Sequence, residues 1–202
     1  IATPTLVPNE TAVQLSLGVS HTCLISLEGT VKCFGSNTVG QLGIGTTSAG
    51  ELPTILTSFI PHSVKSIHSF GSRTCAIMDQ DNSLKCWGSN HFGSLGIGNN
   101  NGFYDSPIDA DVGGSVKTIS ETHGQHTCVV LEEDNTIRCW GKNRRGQVGV
   151  QAGGSIGDEP NELGSNLTVI DLVENPTVAP TISPTLEPSI SPTNSPTFTP
   201  LW

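Results

Sequence analysis

Apolar and polar residues alternate in short runs along most of the chain, and the runs predict β-strands joined by tight turns. Val64-Lys65-Ser66-Ile67 reads as a strand. Cys75-Ala76-Ile77-Met78 and Ser83-Leu84-Lys85-Cys86-Trp87 flank the polar turn Asp79-Gln80-Asp81-Asn82, the pattern of a β-hairpin. The same hairpin recurs around Glu28-Gly29 and around Glu133-Asp134. Gly29 adopts positive φ without steric cost, which suits the odd-length loop of that copy. No stretch carries helical periodicity.

These runs belong to a repeat. Copies open at Val13, Val64 and Val116, and the second cysteine of each copy, Cys33, Cys86 and Cys139, recurs every 53 residues. A unit of about 50 residues built from short strands buries its faces only by stacking on neighbours, which predicts propeller blades. The repeat region spans 1–174, with copies over 13–63, 64–115 and 116–165 and the start of a fourth at 166–172. From Asn175 the composition changes. Pro176, Pro180, Pro184, Pro188, Pro192, Pro196 and Pro200 recur every four residues among Ser and Thr. Proline fixes φ and lacks an N–H, so 175–202 reads as a disordered or polyproline II stalk or linker. Its Ser and Thr make it a candidate for O-glycosylation.

All six cysteines lie in the hairpins, two per copy. Cys23 and Cys33, Cys75 and Cys86, and Cys128 and Cys139 are each centred on the polar turn, which puts the members of a pair opposite each other on neighbouring strands. Opposed Cα atoms fall within disulfide range. The expected bridges are therefore 23–33, 75–86 and 128–139, and they imply an oxidising compartment. Free buried thiols are the competing reading. Zinc and redox roles fit less well, because the pairs lack the C-x-x-C spacing.

The chain has 18 acidic and 9 basic residues and a net charge of −9. That balance argues against nucleic acid, whose binding rests on clustered Lys and Arg. Lys142, Arg144 and Arg145 form one small basic cluster, read as a solvated loop or as a salt-sensitive contact with an acidic partner. No apolar run is long enough for a membrane-spanning helix. The sequence does not start with Met and shows no signal peptide, which suits a mature or excised form. Asn9-Glu10-Thr11 and Asn166-Leu167-Thr168 match the N-glycosylation sequon.

His21-Thr22-Cys23, Val31-Lys32-Cys33, Gly35, Asn37 and Gly40-Gln41-Leu42-Gly43-Ile44-Gly45 resemble the repeat of the regulator of chromosome condensation family. The second copy supplies Thr74-Cys75, Cys86-Trp87-Gly88, Asn90, Gly93, Leu95 and Gly96. The third supplies His126-Thr127-Cys128, Cys139-Trp140-Gly141, Asn143, Gly146 and Gly149. The resemblance covers about two-thirds of the chain and implies an all-β fold with four-stranded blades, of which seven close a ring. It also implies that Trp87, Trp140 and the glycines are structural. His21 and His126 share a slot with Arg73, so they read as hydrogen-bonding structural residues. The cysteine pairs look like those of secreted and bacterial-type variants, which weakens transfer of nucleotide exchange on a nuclear GTPase.

No catalytic motif stands out, and no cofactor is implied. Asn99-Asn100-Asn101 with Asp105, Asp109 and Asp111 lacks the ordered spacing of a calcium loop. The expectation is a non-enzymatic binding module of a secreted or cell-surface protein, with a protein or surface glycan as partner. Its contact loops are expected in the inserts 46–63 and 99–115. A GTPase-regulating propeller and a non-catalytic part of a larger extracellular enzyme are the alternatives. Three blades do not close a ring, so the expectation is a fragment of a longer propeller, an open arc of three blades, or association of chains.

Overall fold

Three four-stranded antiparallel units follow one another in the computed structural model, which describes residues 11–48, 51–60, 63–120 and 124–170. The first blade is β1 (Ala12–Leu17), β2 (His21–Ser26), β3 (Val31–Ser36) and β4 (Glu51–Thr57), paired in that order. The second repeats the order with β5 (Val64–Phe70), β6 (Arg73–Met78), β7 (Leu84–Ser89) and β8 (Phe103–Ala110). The third has β9 (Val116–Ile119), β10 (His126–Leu131) and β11 (Ile137–Lys142), and its outer strand is split into β12 (Ser155–Ile156) and β13 (Val169–Ile170). The Pro/Ser/Thr segment 175–202 lies outside the described residues.

Two expectations are corrected. The inserts 46–63 and 99–115 are not simply loops, because they hold the outer strands β4 and β8. Pro53 and Pro107 argue against strands there, since proline cannot donate to a ladder. Both, however, fall where the register slips, between the pairs Gly35↔Leu52 and Cys33↔Leu56 and between Gly88↔Tyr104 and Cys86↔Ile108. A bulge on an outer strand leaves room for a residue without an N–H. The second correction concerns 166–172. Val169 and Ile170 pair with Arg138 and Ile137 of β11, so this segment completes the third blade rather than opening a fourth. The insertion between β12 and β13 hides that relationship from the repeat spacing.

The core lies between blades rather than within one. Cys23, Ile25, Val31, Cys33 and Leu42 of the first blade meet Val64, Ile67, Ala76, Met78 and Trp87 of the second. Cys75, Ile77, Leu84, Cys86 and Leu95 of the second meet Val116, Ile119, Val129, Leu131 and Trp140 of the third. The middle blade is thus covered on both faces, and β6 is buried at all six positions. In β10 the burial alternates: Thr127, Val129 and Leu131 are buried, while Cys128 and Val130 between them are half-exposed. The alternation is that of a strand packed on one face only.

Each central hairpin carries a disulfide. Cys23–Cys33, Cys75–Cys86 and Cys128–Cys139 are bonded, with Cα atoms 4.1 Å apart in every case. The cysteines are direct register partners. They fall at the close-approach pairs of the ladder, since the neighbouring turn-side pair exchanges its bond through Ser26 N–H to the Thr30 carbonyl and alternate pairs follow in step. Closing so short a loop contributes about 2 to 3 kcal/mol per bridge.

Candidate functional site

The joint between blades recurs with the repeat. Thr74 Oγ1 and Trp87 Nε1 of the second blade donate to the Gln41 carbonyl of the first, at 2.8 and 3.0 Å. Thr127 Oγ1 and Trp140 Nε1 of the third donate to the Ser94 carbonyl of the second, at 3.0 and 3.1 Å. Both tryptophans are fully buried. Each indole covers a glycine at positive φ. A Cβ on Gly43 would lie 2.7 Å from Trp87 Nε1, and one on Gly96 would lie 3.0 Å from Trp140 Nε1.

The loop offering that carbonyl is held by a buried asparagine. Asn37, Asn90 and Asn143 accept from the backbone N–H of Leu42, Leu95 and Val148 and donate to the carbonyls of Thr46, Asn99 and Gln151. Gly35, Gly88 and Gly141 let the strand pass close to its neighbour: a Cβ there would meet the carbonyls of Ser20, Ser72 and Gln125 at 2.5 to 2.6 Å. Gly40, Gly93 and Gly146 also have positive φ. The repeated glycines, asparagines and tryptophans therefore build joints and present no reacting groups.

The histidine slot has a different task in each blade. His21 is 4% exposed, and its Nε2 lies 2.8 Å from Thr74 Oγ1 across the first joint. Burial lowers its pKa to about 4, so the ring is neutral. Arg73 reaches across the second joint, where its guanidinium donates to the Gly124 carbonyl at 2.9 Å. It also lies 4.8 Å from the Phe70 ring centroid. It is 4% exposed, and its Nε has no hydrogen-bond partner among the described residues. Burial lowers its pKa only to about 10, so it carries a positive charge near pH 7. His126, half-exposed nearby, is held below the usual histidine range by desolvation and by the Arg73 charge.

A small basic and aromatic cluster lies at the same junction, tied to the Arg73 cleft through Gln125. A cleft at the junction of the second and third blades is lined by Gly71, Ser72, Arg73, Ser89, His91, Gly124 and Gln125. Lys142 Nζ donates to Gln125 Oε1 at 3.0 Å and lies 5.2 Å from the Phe92 ring centroid. The Arg144 guanidinium lies 5.8 Å from the same ring. Phe92 is held up by a positive φ of 63°. Arg145, the third member of the basic cluster, is exposed, and among the described residues only its backbone N–H is engaged, donating to Gln147 Oε1. Sequence reasoning singled out the basic cluster but missed Phe92 and Arg73, which come from the preceding copy.

The remaining candidates are dispersed. Asp109 pairs with Lys85, and Asp111 Oδ1 accepts the Gly113 N–H. Among the described residues no group of three or more His, Cys, Asp or Glu could hold a metal, and no helix is long and apolar enough to cross a membrane. Asn166 is exposed, with its Nδ2 donating to the Asn161 carbonyl, while Asn9 lies outside the described residues.

The model of the "Regulator of chromosome condensation (RCC1) repeat" matches residues 12–41 and 124–147. The X-linked retinitis pigmentosa GTPase regulator of Homo sapiens is 29% identical over 143 residues, which are 71% of this chain and 14% of that protein. The Ultraviolet-B receptor UVR8 of Arabidopsis thaliana is 29% identical over 138 residues, 67% of this chain and 30% of that protein. The crystal structure of Prp20p from Saccharomyces cerevisiae superposes with a TM-score of 0.67 at 15% identity, over 81% of this chain and 39% of that one. Human WBSCR16 follows with a TM-score of 0.60 at 18% identity, over 80% and 38%. This chain thus spans well under half the length of each. Two stretches of the chain thus match the repeat of the regulator of chromosome condensation family, and its fold resembles part of a propeller of that type, with a disulfide across the central hairpin of each blade.

Proposed function

We propose that the chain is a non-enzymatic protein-binding module of a secreted or cell-surface protein, and that the rim between its second and third blades takes an acidic segment of the partner. The observation that carries the reading is the Phe92, Lys142 and Arg144 cluster, joined through the Lys142–Gln125 bond to the cleft that Arg73 lines, in a chain whose net charge is −9. A local positive site on an acidic molecule selects its ligand by charge and repels unlike-shaped acidic surfaces elsewhere. The aromatic ring adds apolar contact at its centre, as binding hot spots require. Export is supported by the pairing of all six cysteines.

Two measurements test the reading. Thiol counting on native material should give no free cysteine; six free thiols overturn export. A fluorescently labelled oligoglutamate peptide should bind the intact chain, with affinity falling as salt rises. Replacing Lys142 and Arg144 together by Ala should weaken it roughly tenfold or more. Replacing Lys65 and Lys117, which lie on hairpin-side strands and bond Asn82 and Asn135, should leave it unchanged. Equal loss from both pairs would reduce the rim to non-specific charge.

The second reading, regulation of a small GTPase, is favoured by the similarity to the X-linked retinitis pigmentosa GTPase regulator. It requires a reducing compartment, so free thiols together with GTPase retention on the immobilised chain would establish it instead.

A further inference from the structure

The loop leading into β8 holds three consecutive asparagines, and each has a different task. Asn99 is spent on structure. Its carbonyl and Oδ1 accept from Asn90 Nδ2 at 2.9 and 3.1 Å, and its Nδ2 donates to the Tyr104 hydroxyl at 3.1 Å. Asn100 Oδ1 accepts the backbone N–H of Phe92 at 3.0 Å, so this loop holds the ring that Lys142 and Arg144 flank. Asn101 is exposed. Its backbone N–H donates to Asn99 Oδ1 at 3.0 Å, and among the described residues its side-chain amide is unengaged.

A glycine follows, and Asn101–Gly102 is the one Asn-Gly pair in the sequence. Gly102 is exposed, and its carbonyl accepts the Asn90 N–H at 3.0 Å. Its own N–H donates to nothing among the described residues. A Cβ at this position would meet no heavy atom within 4 Å. The peptide nitrogen after Asn101 is thus uncrowded and free of a hydrogen bond that would hold it. Other asparagines of the blades differ. The Ser83 N–H after Asn82 and the Thr136 N–H after Asn135 donate to Asp81 Oδ1 and Asp134 Oδ1, both at 2.9 Å. Asn37, Asn90 and Asn143 are buried.

We propose that Asn101 is a self-modifying site, where the chain converts an amide into a carboxylate on the loop that holds Phe92. The Gly102 nitrogen attacks Asn101 Cγ. An N–Cγ bond forms, the Cγ–Nδ2 bond breaks, and ammonia leaves with the proton of the Gly102 N–H. Water then opens the cyclic imide. Opening at Cγ gives aspartate, and opening at the Asn101 carbonyl carbon gives isoaspartate, with the main chain running through Cγ. Neither step needs a co-reactant besides water. The new negative charge weakens the positive field of the Phe92, Lys142 and Arg144 cluster and repels an acidic segment from it. That consequence rests on the acidic-partner reading; the chemistry at Asn101 does not.

Peptide mapping tests the chemistry. Native chain is held in mildly alkaline buffer, sampled over time, digested and analysed by peptide mass. The peptide carrying Asn101 should gain the mass difference between amide and acid, in separable aspartate and isoaspartate forms. Conversion should run roughly tenfold or more faster than at Asn82 and Asn135, since glycine alone leaves the attacking nitrogen unhindered. Gly102→Ala, which the open space around Gly102 accommodates, should stay folded and slow the conversion by a similar factor. Equal rates at the three asparagines of the folded chain overturn the site, as does a Gly102→Ala chain that converts as fast as the wild type. Asn101→Asp isolates the charge. It should weaken binding of the labelled oligoglutamate peptide about two- to fivefold at low salt, with the difference fading as salt rises. If replacing Lys142 and Arg144 weakens the peptide while Asn101→Asp does not, the effect on binding is overturned and the acidic-partner reading stands. A peptide indifferent to Lys142 and Arg144 overturns that reading and with it the effect on binding, while the mapping still decides the chemistry.

Discussion

Trp87 Nε1 donates to the Gln41 carbonyl at 3.0 Å, and that one hydrogen bond ties the ring of the second blade to the loop of the first. Thr74 Oγ1 shares the same acceptor at 2.8 Å, in a fully buried setting. Sharing decides what a substitution costs. Trp87→Phe keeps a ring in the joint and leaves the carbonyl bonded to Thr74, so it should destabilise by about 1 kcal/mol, the usual worth of one bond. Trp87→Ala empties the joint and should cost about 3 to 5 kcal/mol. Trp87→Phe combined with Thr74→Val strands a buried carbonyl, and the pair should cost more than the sum of the single changes. Equilibrium urea unfolding measures all four; strict additivity would show that the acceptor is not shared.

A glycine comparison separates the close approach from the backbone requirement. Gly71 and Gly96 have φ of 58° and 75°, so both prefer glycine. Nothing lies within 4 Å of a Cβ on Gly71, whereas a Cβ on Gly96 would stand 3.0 Å from two atoms of the Trp140 indole. Gly71→Ala should cost about 1 kcal/mol, for the backbone alone. Gly96→Ala should cost roughly 1 to 3 kcal/mol more, because it pushes the indole off its floor. Thermal unfolding of the two variants checks the difference, and equal losses would remove the indole contact from the account.

The hairpins, their cysteine pairing and the blade repeat were legible because each depends on residues close in sequence. Cys75 and Cys86 flank a polar turn that fixes their register before any tertiary contact exists. The outer strands were not legible. Pro107 reads as a loop residue, and only the slip between Gly88↔Tyr104 and Cys86↔Ile108 accommodates it. Ile170 likewise reads as part of the start of a fourth copy, since an insertion separates it from Ser155, its companion on the same edge. The rim failed for a different reason: Phe92 and Lys142 are neighbours only because one repeat stacks on the next, and single-copy patterns do not report what stacking brings together.

Stability should depend on pH through His21. Above pH 6.5 the ring is neutral whether the chain is folded or not. Between 6.5 and about 4 the unfolded chain binds a proton that the buried ring refuses, so stability falls as the pH falls. Below about pH 4 the loss is complete, at about 3 kcal/mol. His126 shifts in the same direction and adds to the slope. Unfolding midpoints taken from pH 7 to pH 4 should fall continuously, and His21→Gln should flatten the profile. A profile that keeps its full slope in His21→Gln would assign it to other groups.

The third disulfide should be the first to yield to a reductant. Thiol–disulfide exchange needs a thiolate to reach one of the sulfurs, so access sets the order when the bridges are otherwise alike. Cys23, Cys33, Cys75 and Cys86 are 0% exposed, each covered by the neighbouring blade. Cys139 is 8% exposed, and Cys128 is half-exposed on the uncovered alternate face of β10. Cys139 also lines an open cleft with Val148, Ile156 and Asn166. Native chain treated with low dithiothreitol, quenched with an alkylating reagent at intervals and mapped by peptide mass, should show label on Cys128 and Cys139 well before the other four. The remaining pairs should follow only as the blades separate, so urea should speed their reduction far more than that of the third pair. Simultaneous labelling of all six in native buffer would mean that the array opens as a unit before any bridge is attacked, and local access would then not govern the chemistry.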